Sequence, residues 1–211
     1  FSSFFNLWQG KRKHPPLPGP ERIESPELEI PPVEKELEPL GLGRLGGWPM
    51  DFPTKRLQDF DFAAYAETRD HPWMDGTSKL SPYLRFGVES IRRVYEAASG
   101  GSPATSSYIS ELAWREFWYH IMHNFPETRG LEFQEKRRNI RWINDEVWYD
   151  AWREGRTGYP IVDAGMKQLE EEGWMHNRVR MIVASFLTKD LITDWRWGDR
   201  HFFDHLIDYD E

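Results

Sequence analysis

The sequence predicts an all-α domain. Apolar residues recur at helical three- and four-residue spacing from about Asp59 onward, no stretch shows a convincing period-two alternation, and Ser-Pro and Gly punctuation marks helix starts and stops. Hydrophobic residues make up 39% and aromatics 15%, with eleven tryptophans, which is enough apolar surface for a core. Each buried indole also brings an N–H that needs a partner.

The first fifty-three residues hold ten of the fifteen prolines, with Gly41-Leu42-Gly43 and Gly46-Gly47 among them. Proline fixes φ and removes donors, so residues 1–58 are expected to form a largely irregular, extended linker with at most short helical pieces. Lys11-Arg12-Lys13 within it reads as solvated surface. The helical domain is expected over 59–211. Its elements are a helix over Phe60–Thr68, a start at Ser81-Pro82 with the serine as N-cap, and a short helix over Ser90–Ala98 closed by Gly100-Gly101. A long helix over Ser106–Asn124 stops before Pro126. Helices over Glu146–Arg153 and Pro160–Glu172 end at Gly155 and Gly173, and two more cover Met175–Leu191 and Arg200–Ile207.

Two of these helices carry a second face. Ser106–Asn124 has a core stripe at Ile109, Leu112, Ala113, Phe117 and Ile121, and another at Glu111, Trp114, Arg115, Trp118 and Met122. Spacing alone leaves two readings open for the latter. One is a surface ion pair, Glu111 with Arg115, beside part-exposed indoles; the other is a pocket wall for a flat ligand. The helix after Gly173 has a core stripe at Met175, Val179, Ile182, Val183 and Phe186, while Asn177, Met181 and Ala184 lie elsewhere and Arg180 sits at the border. His176 has Arg180 rather than a ligand at i+4, so it reads as a hydrogen-bonded structural histidine and no metal is assigned. Thr77-Ser78-Lys79-Leu80-Ser81 places hydroxyls ahead of a helix start, which routine capping explains, with an anion such as phosphate as the alternative.

The formal net charge of -8 argues against binding nucleic acid through overall charge, but it does not exclude a local basic rim. The absence of cysteine excludes disulfides and thiolate metal sites and suits a cytoplasmic protein. No apolar run reaches eighteen residues and the start lacks the order of a signal peptide, so no membrane span is expected.

The motifs resemble those of the photolyase/cryptochrome family over most of the chain. Phe1-x-x-Phe4 with Trp8 is similar to the family's exit from an N-terminal α/β domain. Tyr65-x-x-x-Arg69-Asp70 with Gly76-Thr77-Ser78-x-Leu80-Ser81 resembles its flavin-phosphate segment, and Glu111-Leu112-x-Trp114-Arg115-Glu116-Phe117 its substrate-facing helix. Thr157-Gly158-Tyr159-Pro160-Ile161-Val162-Asp163-Ala164 follows, then Gly173-Trp174-Met175-His176-Asn177-Arg178-x-Arg180. Lys189-Asp190-Leu191 with Asp194-Trp195-Arg196, and Leu206-Ile207-Asp208-x-Asp210, complete the order. Glu111 and Asn177 are most similar to class I cyclobutane pyrimidine dimer photolyases. Plant cryptochromes tend to carry aspartate at the position of Asn177, and (6-4) photolyases a histidine-rich segment.

The resemblance implies a multi-helix FAD-binding domain of photolyase type and light-driven repair of cyclobutane dimers, a carbon–carbon lyase reaction. A cryptochrome-like photoreceptor without repair is the alternative. FAD would be held by Tyr65, Thr77, Ser78, Lys79, Leu80 and Ser81 on its phosphate side, and by Glu111, Arg115, Asn177, Arg180, Asp208 and Asp210 around its rings. Glu111 and Asn177 are implied as the catalytic pair, and Trp114 and Met181 as contacts to a dimer flipped out of damaged DNA. Arg69 and Arg178 are implied to meet flanking phosphates, and Trp142 and Trp195 to be members of an electron-hopping chain. Lys136, Arg137, Arg138 and Arg141 read as a solvated helix face. The family continues past Glu211 into Asn-x-Gly-x-Trp-x-Trp and carries an antenna domain before Phe1, whose chromophore the sequence does not name. The chain is therefore expected to be a monomeric fragment that retains FAD poorly by itself.

Overall fold

The computed structural model describes residues 1–19, 49, 51–100 and 103–210. Among these the chain is helical with no strand: α1 Ser2–Gly10, α2 Phe52–Asp59, α3 Tyr65–Thr68, α4 Ser81–Arg85, α5 Ile91–Ala98, α6 Ser106–Asn124, α7 Glu146–Arg153, α8 Pro160–Glu172, α9 Asn177–Ser185 and α10 Trp195–His205.

Several helix starts follow from side-chain caps. Ser90 accepts from the Arg92 N–H, Asp145 from Trp148, and Asp194 from Arg196. Gly173 ends α8 in the left-handed conformation (φ 63°), which only glycine adopts without strain. The structure amends four expected boundaries. The helix expected over Phe60–Thr68 is reduced to α3, Tyr65–Thr68, because the Asp61 carboxylate accepts the N–H groups of Ala63 and Ala64 in a turn ahead of it. Ser81 lies inside the first turn of α4 rather than at its cap, and its hydroxyl receives the Trp174 indole N–H at 3.3 Å. The helix expected over Met175–Leu191 begins only at Asn177, since His176 is its cap, and its last turn, Phe186–Asp190, widens to a π turn that swings Leu187 into the core. The final helix starts at Trp195, five residues before Arg200, because Asp194 caps it. In the segment expected to be largely irregular, α1 packs on α6 through Phe1 and Phe4, and α2 forms; the glycine pairs at 41–43 and 46–47 lie outside the described residues.

Two cores hold the helices. The first gathers Phe62, Leu80, Tyr83, Val94, Ala98, Tyr108 and Leu112 from α4, α5, α6 and the segment before them. The second gathers Trp152, Val162, Met166, Leu169, Met175, Val179, Val183 and Leu187 from α7, α8, α9 and the π turn. Trp152 is fully buried and donates its indole N–H to the Val183 carbonyl at 3.0 Å. At the centre of the second core, α8 meets α9 at Gly165, where an added Cβ would lie 2.4 Å from Val179 Cγ1.

Two predictions follow from this packing. Gly165→Ala forces α8 and α9 apart and lowers stability by about 1–3 kcal/mol, read as a shifted urea midpoint at unchanged slope. His201 sits edge-on to Trp152 at 5.4 Å, and burial pushes its pKa down from 6.5 to about 4. The unfolded chain therefore takes up a proton that the folded chain refuses, so stability falls as pH drops from 6.5 toward 4. After discounting for solvent screening, the loss is on the order of 1–2 kcal/mol. His201→Gln flattens that slope in pH-dependent urea titrations.

Candidate functional site

Between the two cores lies a cleft of about 240 Å³, bordered by the segment leading into α4, one face of α6, the start of α9 and the C-terminal segment. Tyr65, Thr77, Ser78, Lys79, Leu80, Ser81, Glu111, Arg115, Asn177, Arg180 and Asp208 line it, with Tyr108 and Trp174. A second space of about 560 Å³ shares Ser81, Arg115, Arg180 and Asp208 with it and adds Met181 and Asp210. The residues named above for the phosphate and ring sides of a cofactor thus converge on two adjoining spaces, although they come from segments more than a hundred residues apart.

The deepest charge is Asp208, whose side chain is 2% exposed. One of its oxygens receives Arg180 Nη2 at 2.8 Å; the other is buried without a partner. Arg180 also donates Nε to the Met175 carbonyl at 2.7 Å, so its fork is fixed. A carboxylate oxygen kept dry and unpaired carries a desolvation cost that a ligand donor relieves. At the opposite end, Ser78 accepts from the Tyr108 hydroxyl at 2.9 Å, and burial raises that phenol to about 12, so it remains a donor. Tyr65 is likewise pushed by burial to about 12. Lys79 has a left-handed backbone (φ 53°) and holds its ammonium 5.3 Å from the Trp174 ring. Hydroxyls, an ammonium, an unpaired acid and aromatic rings lining one cleft fit a molecule that carries phosphate and a flat, hydrogen-bonding ring.

The electrostatics of α6 differ from the i,i+4 pair considered above. Glu111 binds Arg69 of the α3 segment at 2.6 Å, while Arg115 turns to the Leu84 carbonyl and the Tyr119 hydroxyl. Tyr119 also donates to Asp210. Arg178 binds Asp70 at 2.6 Å, which places both arginines proposed for phosphates at one rim, each already partnered by an acid. Met181 is 55% exposed beside them. Trp114 does not line the cleft: its ring stacks on Phe1 at 3.5 Å and 5°, because α1 presents a parallel aromatic face there. His176 caps α9 through Nδ1, at 3.2 Å from the Arg178 N–H. Trp142 and Trp195 lie outside the cleft, half-buried, on a junction between the 142–144 segment and the start of α10. Tyr108 and Tyr119 were missed by the sequence reading. Tyr108 stands three residues before Glu111 on α6, a spacing that was available to flag it.

Residues 108–211 match the family model described as "FAD binding domain of DNA photolyase". The chain belongs to the photolyase/cryptochrome family. The deoxyribodipyrimidine photo-lyase of Vibrio cholerae is 49% identical over 175 residues, covering 77% of this chain and 37% of that protein. The one from Synechococcus is 40% identical over 234 residues, covering all of this chain and 48% of that protein. A crystal structure of a class III photolyase from Agrobacterium tumefaciens superposes with a TM-score of 0.84 at 38% identity, covering 99% of this chain and 47% of that one. A Synechocystis cryptochrome gives 0.69 at 38%, covering 76% of this chain and 36% of that one. The chain therefore spans less than half the length of these relatives. The class I expectation is narrower than these matches reach. FAD is the cofactor of this family domain, and the cleft's donor set fits it.

Asp208→Asn removes the charge that Arg180 neutralises. It is expected to cost about 2–3 kcal/mol in urea unfolding and to lower flavin retention, read as the flavin-to-protein absorbance ratio after gel filtration.

Proposed function

We propose that this chain serves light-driven repair of cyclobutane pyrimidine dimers in DNA. The observation that carries this reading is the placement of Glu111: its carboxylate is fixed by Arg69 at the cleft edge, on the helix face that also supplies Arg115 to the cofactor space. When bound, FAD supplies the electron that opens the cyclobutane ring and takes it back once the two carbon–carbon bonds have parted. The protein's part is to bind, orient and keep water out. Glu111 hydrogen-bonds the pyrimidine edge, and Asn177, the first residue of α9, lines the same cleft with its amide available to the dimer. The exposed Met181 offers an apolar contact to a flipped-out dinucleotide, whose extrusion is easier than that of an intact pair.

Arg69 and Arg178, at one rim of the cleft, are the groups to meet flanking phosphates, which would share or displace Glu111 and Asp70. That local pairing suits a chain whose total charge is negative, since positioning needs basic groups at the rim rather than overall. Trp114 takes part as a dimer wall only if Phe1 leaves its face. Trp142 and Trp195 serve as successive stations through which electrons reach the flavin.

The test is a repair assay on dimer-containing oligonucleotides with the reduced, FAD-loaded protein under blue light. Repair is expected, and Glu111→Ala should lower its yield about tenfold to a hundredfold at equal flavin content. Flavin photochemistry without any dimer loss would instead favour a cryptochrome-like photoreceptor.

A further inference from the structure

The segment carrying Trp142 meets the start of α10, which carries Trp195, at a junction built on two non-glycine residues with left-handed backbones. Asn144 has φ 53° and Ile192 has φ 50°. Asparagine tolerates this region, but a β-branched isoleucine does not enter it without being held there. The Ile192 carbonyl accepts the Ile143 N–H at 2.8 Å, and Asn144 Oδ1 accepts the Asp194 N–H at 2.8 Å. Between them Thr193 is fully buried and donates its N–H to the Leu187 carbonyl in the π turn. Trp142 precedes Ile143 by one residue and Trp195 follows Asp194 by one. Trp142 and Trp195 therefore each stand one residue from a single two-bond clasp. Strain of this kind persists where the surroundings over-determine it, and it concentrates at functional positions.

We propose that Asn144 is a positioning residue for electron passage, its side-chain clasp to Asp194 setting the separation of Trp142 and Trp195. The inference rests on the tryptophan relay proposed above. Each electron that leaves Trp195 toward the flavin is replaced by one from Trp142, and an added thiol, itself oxidised, replaces that one. Hopping weakens steeply with separation, so loosening the clasp slows flavin photoreduction without touching the cleft.

The experiment uses the FAD-loaded protein, oxidised, with a thiol donor under blue light, following flavin absorbance. Asn144→Gly keeps the left-handed backbone but deletes the side-chain bond, and it should slow photoreduction at least about fivefold. Repair by the chemically pre-reduced protein should stay at the parent level. Asn144→Asp retains the acceptor and should photoreduce like the parent. Parent-rate photoreduction in Asn144→Gly overturns the proposal, as does an equal loss of pre-reduced repair or of flavin binding in both variants, which would assign the clasp to folding alone. Trp142→Phe separates the two levels: if it photoreduces at the parent rate, the relay itself is wrong and the clasp has no role in it.

Discussion

The placement of α9 against α8 governs the site. Gly165 lets Val179 and Val183 settle directly on the backbone of α8, at a spacing no side chain would allow. That contact fixes the axis of α9, and α9 carries Asn177, Arg178, Arg180 and Met181 in less than two turns. Helical geometry then leaves little freedom: Arg180 faces Asp208, Arg178 faces Asp70, and Met181 is left at the surface between them. The Arg180–Asp208 and Arg178–Asp70 bonds span more of the sequence than any helix, and both depend on this one local fit.

The rest of the frame repeats the same logic on a smaller scale. Tyr108 and Glu111 share the inner face of α6, so the helix that fills the first core also supplies one of the cleft's two acids and one of its donors. The Trp174 indole reaches across to Ser81 and ties the end of α8 to the start of α4. Hydrophobic burial sets the positions of the helices, and a few charge-assisted bonds set which way their polar side chains turn.

How much of this was legible in the sequence depends on the range of the interaction. The limits of α6, α7 and α8 were readable because Pro126, Gly155, Pro160 and Gly173 act within one turn. The capping aspartate at 194 was equally local and was passed over, which delayed the expected start of the last helix. The π turn left no trace, since its residues keep an ordinary apolar spacing and only the wider ring differs. Partners were the least legible. Glu111 was weighed with Arg115, four residues away, whereas its partner is forty-two residues distant. Likewise Trp114 gave no sign that Phe1 would cover it, because stacking partners are chosen by tertiary approach rather than by spacing. The converging residues themselves were named through the family's motif order, which spacing did not provide.

The unpartnered oxygen of Asp208 ties the chemistry of the cleft to the stability of the chain. Whatever satisfies that atom returns the cost of having stripped it of water, so loading and folding become a single linked equilibrium. A ligand that binds the native chain alone acts as its thermodynamic chaperone, and the protein's cellular lifetime then tracks flavin supply as much as the quality of its own core.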